Sequence, residues 1–320
     1  MTETITDRID AITKIPETHR AANIPAPKSV KIELTGRCNY RCGFCALRSR
    51  EIQPKTDMDF ALFQRITREM RSAGVEEIGL FYLGESFMNP DLLVAATHWV
   101  KSELAFPYVF LTSNASLADP EDVEALMAAG LDSLKWSVNA ADEEQFAHVM
   151  AVSPKYFRKA LRNIKDAKVI RDTRGYRTRL YASSIRYDGE QQAKMEALLG
   201  EHVLPYVDQH YWLPLYSMGA VATQREQELG YRPTAGNQGR LGALREPLPC
   251  WSAFSEGHVT AEGKLSACCF DADGRFAMAD LNEVPFMEGW NSAAFVELRA
   301  AHLNRDVTGT ICENCIAYRG

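Results

Sequence analysis

A chain of 320 residues, 46% of them apolar, is long enough for one large domain or two moderate ones with a sizeable core. No run of about 18 apolar residues occurs, which excludes a hydrophobic transmembrane helix. The charged start MTETITDRIDAITKIPETHR lacks the apolar stretch of a secretory signal, so a cytoplasmic chain without a membrane partner is expected. A net charge of −6 argues against a broad nucleic-acid surface, and no nucleic-acid partner is expected.

Residues 1–28 read as a polar helix followed by a proline-containing lead, IPAPKS. SVKIELT (29–35) reads as a strand. Residues 57–72 read as a helix, with Phe60, Phe63, Ile66 and Met70 on one face and Gly74 as its stop. EIGLFYL is the next strand, and PDLLVAATHWVKSE (90–103) is a helix with proline suited to its first turn. YVFLTSN (108–114) is a third strand. DPEDVEALMAAG is a helix with Asp119 as N-cap and Gly130 at its stop. There follow the strand LDSLKWSVN, a long helix over 154–172, the strand YRTRLYASSIRY, the helix GEQQAKMEALLG and the strand YVDQHYWLPL. Repeated βα units imply parallel strands with right-handed crossovers. Six units are fewer than the eight of a closed TIM barrel. The expected fold is therefore α/β, a partial (β/α)6 barrel over residues 29–218 with 1–28 as an N-terminal extension. Residues 219–249, rich in glycine and proline, read as a linker or flap, and 250–320 as a second, cysteine-bearing domain.

The cysteines are Cys38, Cys42, Cys45, Cys250, Cys268, Cys269, Cys312 and Cys315. Without an export signal, clustered thiols read as metal ligands rather than disulfides. The first three follow strand one, at the carboxyl end of a parallel sheet, where such folds place their chemistry. A closed structural zinc site takes four ligands. Three unequally spaced thiolates suit a 4Fe–4S cube with one open iron. The alternative is a set of inert or zinc-bound cysteines, which would make the chain an iron–sulfur or zinc scaffold rather than an enzyme.

CNYRCGFC carries the Cx3Cx2C signature with an aromatic before the last cysteine, and on it the chain resembles the radical S-adenosylmethionine (SAM) superfamily. The resemblance implies that Cys38, Cys42 and Cys45 hold a 4Fe–4S cluster whose open iron chelates SAM. One electron then cleaves SAM to a 5′-deoxyadenosyl radical, which abstracts hydrogen from a substrate carbon. It implies that Phe44 packs near the adenine. YLGES (82–86) stands where the superfamily keeps Gly-Gly-Glu toward the methionine amine; Leu83 replaces the first glycine, while Gly84 and Glu85 remain. LTSNAS brings Ser113 and Asn114, and KWSVNA brings Ser137, as further cofactor contacts. Each has a plain alternative as a turn or strand-end residue.

The C-terminal pattern resembles SPASM domains in their shortened twitch form: Cys250, Gly263 at the expected interval, Cys268, then CENC. This implies one auxiliary 4Fe–4S cluster on Cys250, Cys268, Cys312 and Cys315, two clusters in all. Four thiolates leave no open iron, so this cluster would transfer electrons or support structure; a structural zinc site is the alternative. Trp290 and Arg299 read as packing residues. Cys269 is left over, either a small buried hydrophobe or a hydrogen donor of the kind radical epimerases use. The spacing resembles twitch dehydrogenases that oxidise an aminocyclitol alcohol. The expected reaction is thus two-electron oxidation of a small polar alcohol such as an aminocyclitol or sugar. Epimerisation and peptide modification are alternatives. A peptide-modifying relative often carries a leader-binding domain, for which the 28 residues before strand one are too few. The expected partners are a small-molecule substrate and a flavodoxin- or ferredoxin-type electron donor. Arg186, His210 and Tyr211, near strand ends, are the candidate bases.

Overall fold

The computed structural model describes residues 4–49, 57–220, 227–228, 230, 232–271 and 274–315. Helix α1 (Ile5–Ile12) opens the chain, with Thr4 and Asp7 in a capping box. Strand β1 (Ser29–Ile32) then sets the rule for the barrel. Val30 and Ile32 are fully buried in the hydrophobic core, while Ser29 and Lys31 face the barrel interior. A parallel sheet covered by helices ordinarily reads as a near-continuous apolar run. Polar residues at every second position mark a hollow interior instead.

Helix α2 (Phe60–Ala73) is capped by Asp59, which accepts from Leu62 N, and ends at Gly74 in the left-handed region. There follow β2 (Glu77–Gly79), α3 (Pro90–His98) continuing into a π turn over Trp99–Glu103, β3 (Tyr108–Ser113) and α4 (Pro120–Ala128). In β4 (Ser133–Ser137), Leu134 and Trp136 are buried in the core while Ser133 and Lys135 line the interior. Helix α5 (Glu143–Met150), not anticipated from the sequence, is capped by Asp142 and precedes α6 (Lys155–Arg174). The set closes with β5 (Arg179–Ile185), α7 (Gly189–His202) and β6 (Gln209–Leu213).

These six strands are parallel and lie in the order β6-β5-β4-β3-β2-β1, the expected partial barrel. The C-terminal part extends the same sheet. After α8 (Ser252–Ser255), β7 (Glu256–Val259) pairs in parallel with β1, Ser29 opposite Glu256. Strands β8 (Lys264–Ser266) and β9 (Ala277–Asp280) follow antiparallel and complete a nine-stranded sheet. Helices α9 (Phe286–Trp290) and α10 (Ala293–Leu303) cover this end. There Arg299, fully buried over Trp290 and Phe295, donates from Nε to Ala253 O, as expected of a packing residue.

Helix α1 crosses the amino-terminal ends of the strands. Arg8 pairs with Glu77 at 2.7 Å and lies 3.2 Å from the Tyr108 ring centroid, and Ile5 N donates to Gln209 Oε1. The stretch expected as a linker or flap lies partly outside the described residues. Its described part contributes Asn237, Gly239 and Arg240 to the wall of the interior, with Arg240 paired to Asp10. Among the described residues no helix is long and apolar enough to cross a membrane.

Candidate active site

The loop carrying Cys38, Cys42 and Cys45 leaves β1 and is pinned to the end of α5. Arg41 N donates to Met150 O at 2.9 Å and Gly43 N to Val149 O at 2.8 Å. Beneath it Tyr40 meets the edge of Phe146, with ring centroids 5.2 Å apart, in an apolar cluster formed with Val149, Met150 and Phe157. The helix the sequence did not announce is therefore the floor of this loop. The three cysteines line a cavity of about 200 Å³ together with Phe44, Gly84, Glu85, Ser113, Asn114 and Ser137. All the residues singled out around the first cysteine motif thus come together.

Glu85 ties two strand exits to each other. Its Oε1 accepts from Ser113 Oγ (2.9 Å) and Phe87 N (3.2 Å), and its Oε2 from Asn114 N (2.7 Å). Burial pushes its carboxyl up, against these hydrogen bonds. Asn114 Nδ2 donates to Asn39 Oδ1, and Asn39 Nδ2 to Ser116 Oγ, which ties the cysteine loop to the exit of β3. Leu83 N and Gly84 N both donate to Glu33 Oε1. A Cβ on Gly84 would stand 2.1 Å from Thr35 O, so only glycine lets this segment lie against the cysteine loop. Glu33 and Asn39 escaped the sequence reading. The signal for Glu33 was its place on the same alternate face of the first strand as Ser29 and Lys31.

The C-terminal cysteines divide. Cys250, Cys268, Cys312 and Cys315 line a small cavity of about 30 Å³ with His302 and Phe270, whereas Cys269 lines the barrel interior. Asn237 Nδ2 lies 3.5 Å from Cys269 Sγ. No disulfide joins any of the eight cysteines, and burial pushes the thiols of Cys38 and Cys312 up. Among the described residues no three His, Cys, Asp or Glu side chains converge on the position of one metal ion.

Between the two cysteine cavities lies the barrel interior, a cavity of about 220 Å³. It shares Phe81 and Thr112 with the first cavity, and Asn237 and Phe270 with the C-terminal one. Its floor carries a compact charge cluster in which Lys31 Nζ lies 2.7 Å and His258 Nε2 3.1 Å from Glu256 Oε2. Burial pushes the Glu256 carboxyl up, but Lys31 and His258 outweigh it and hold it at about 2. Of the candidate bases, Tyr211 lines the interior. His210 bonds Ser184 Oγ outside this lining, and burial pulls it down to about 4; Arg186 is exposed. Neither of these two reaches the interior.

A parallel partial barrel with a three-cysteine loop at its carboxyl end and a second cysteine cavity behind its interior defines a class of iron–sulfur enzyme. The model of the radical SAM superfamily matches residues 32–176, and that of an iron–sulfur cluster-binding domain, SPASM, matches residues 250–316. The chain thus carries a radical SAM domain and a SPASM domain, and its cofactors are 4Fe–4S clusters and S-adenosylmethionine (AdoMet). It is similar to the probable GTP 3′,8-cyclase of Pyrobaculum aerophilum, 26% identical over 141 residues, which are 44% of each chain. The match to the PqqA peptide cyclase of Xanthomonas campestris pv. campestris is 23% identical over 316 residues, 92% of this chain and 80% of the relative. The crystal structure of BtrN in complex with AdoMet and 2-DOIA shares the fold, with a TM-score of 0.59 at 14% identity over 90% of this chain and 92% of that one.

Proposed function

We propose that this radical SAM enzyme oxidises a small polar alcohol by two electrons inside its barrel. The observation that carries this is the order of the cavities: the interior lies between the two cysteine cavities and shares wall residues with each. Cys38, Cys42 and Cys45 would hold the 4Fe–4S cluster that leaves one iron for AdoMet, and Cys250, Cys268, Cys312 and Cys315 a fully ligated auxiliary cluster. The donor sets fit, because three and four thiols each line a cavity of their own. A cube takes each thiolate on a separate iron and does not require that they converge on one point. When bound, the first group would supply a carbon radical that removes one hydrogen atom and the second an acceptor for the remaining electron, the hydroxyl proton being released to solvent.

The chain's own residues hold and enclose. Glu85, with Ser113 and Asn114, fixes the strand exits around the cofactor pocket, and Ser137 and Gly84 complete its wall. Phe44, Phe146 and Phe157 exclude water from its apolar side. The interior walls orient the substrate. A flavodoxin- or ferredoxin-type protein is the proposed electron donor.

The test is anaerobic reconstitution, reduction, and incubation with polyols, sugars and hydroxy acids. The expected results are release of 5′-deoxyadenosine and a product lighter by two hydrogens, with both lost in Cys42→Ala. Cleavage of AdoMet by Cys42→Ala would overturn the assignment of the first site. The lining position of Cys269 supports a second reading, in which its thiol returns hydrogen to the substrate radical and the reaction is an epimerisation. The same assay in heavy water separates the two, since deuterium at carbon without loss of two hydrogens points to the epimerase. The long match to a peptide cyclase supports a peptide substrate as the remaining alternative.

A further inference from the structure

We infer that the barrel interior is an oxyanion site, so that the substrate carries a carboxylate or phosphate held at Lys135. This rests on the interior being the substrate chamber. Among the described residues, four cationic side chains line that cavity. Three are matched: Arg8 by Glu77 at 2.7 Å, Lys31 by Glu256 at 2.7 Å and Arg240 by Asp10 at 2.6 Å. Lys135 makes no hydrogen bond or ion pair with any described residue; its Nζ lies 5.8 Å from the Tyr211 ring centroid. It lines the cavity half-buried with its charge unmatched, and an uncompensated cation there is unfavourable. An oxyanion beside it would supply the missing charge and accept a charge-assisted hydrogen bond.

The groups around Lys135 offer no substitute. Tyr181 stands level with it on β5, Lys31 and Tyr211 face it from β1 and β6, and Glu256, Glu77, Arg8 and Cys269 belong to the remaining wall. The two acids there are already taken by Lys31 and Arg8. Burial, and then Lys31, pull the Lys135 amine down to about 7. A bound oxyanion opposes both effects. Binding above neutral pH therefore takes up a proton, and affinity falls as pH rises through that value. The same balance disfavours the aminocyclitol expected from the sequence, because its ammonium would add a cation beside Lys31 and Lys135.

The test uses the full chain loaded anaerobically with its clusters and AdoMet. Glycolate and inorganic phosphate are the oxyanion probes, and ethanolamine is the amine probe. Acetic anhydride labelling at about pH 8, where ordinary lysines stay charged, is read at Lys135 by peptide mass mapping. Glycolate or phosphate is expected to slow labelling about tenfold or more, ethanolamine to leave it unchanged, and the probe that protects tells carboxylate from phosphate. Titration calorimetry in two buffers of different ionisation heat should show proton uptake with that probe. Lys135→Arg should keep the affinity without the uptake, and Lys135→Met should weaken binding about tenfold to a hundredfold. Protection by ethanolamine alone, protection by neither oxyanion, or a Lys135 unreactive in the probe-free enzyme overturns the inference. AdoMet cleavage separates the two levels: an enzyme that cleaves it without oxyanion protection loses only this site. One with protection but no cleavage keeps the site and loses the proposed chemistry.

Discussion

Glu256 begins β7 with both carboxylate oxygens occupied, Oε1 by Ser29 Oγ at 3.3 Å and Oε2 by Lys31 Nζ at 2.7 Å, with His258 Nε2 at 3.1 Å. Its acid is held at about 2 against an ordinary 4.5, although burial alone would raise it. The folded value is the lower one. The carboxylate therefore stabilises the fold above pH 4.5, and that contribution fades as pH falls through about 2. Glu256→Gln removes the carboxylate that pairs with Lys31. The expected loss is about 2–4 kcal/mol by urea unfolding at neutral pH, because a half-buried cation loses its partner. A Glu256→Gln/Lys31→Met double variant should recover much of it. A single variant as stable as the parent would show that Lys31 has solvent or another partner to turn to.

At the scale of elements, the two loops that frame the cofactor pocket depend on one close approach. At Gly84 an added methyl would meet Thr35 O at 2.1 Å and Arg37 O at 2.8 Å, both of them backbone. Gly84→Ala should push the loops apart, destabilise the protein by about 1–3 kcal/mol and lower iron loading of the first site. Iron content and visible absorbance after reconstitution check this, and full loading in the variant would count against a rigid frame. The six βα units were legible because each carries its own period, as in α2, where Phe63, Ile66 and Met70 share the buried face. The cysteine loop was legible from its spacing. Strands β7 to β9 were not, because segments of three or four residues, such as EGHV and KLS, hold too little periodicity. Helix α5 was missed for a similar reason: its eight residues, with two leading glutamates, hold too short an apolar period to announce a helix. The polar interior was written in SVKI and SLKWS, but alternation alone does not say which face is hollow.

At the scale of the whole molecule, the proposed chemistry needs both cysteine cavities, but cleavage of AdoMet needs only the first. A Cys312→Ala/Cys315→Ala variant should therefore still release 5′-deoxyadenosine while failing to give oxidised product. Coupled mass analysis of nucleoside and product checks it, and undiminished oxidation would remove the C-terminal cavity from the electron path. The two parts are also joined mechanically. β1 is flanked by β2 on one side and by β7 on the other, and Trp290 and Asn291 hold the backbone of Pro25 and Ile24. The neighbour on one side of β1 is thus made 227 residues after it, Glu256 against Ser29. During synthesis β1 emerges with one hydrogen-bonding edge bare, and it stays bare until residue 256 has left the ribosome. Such distant pairing makes for slow folding, so the growing chain passes through a long interval in which its middle is assembled and its seam is open to the wrong neighbour.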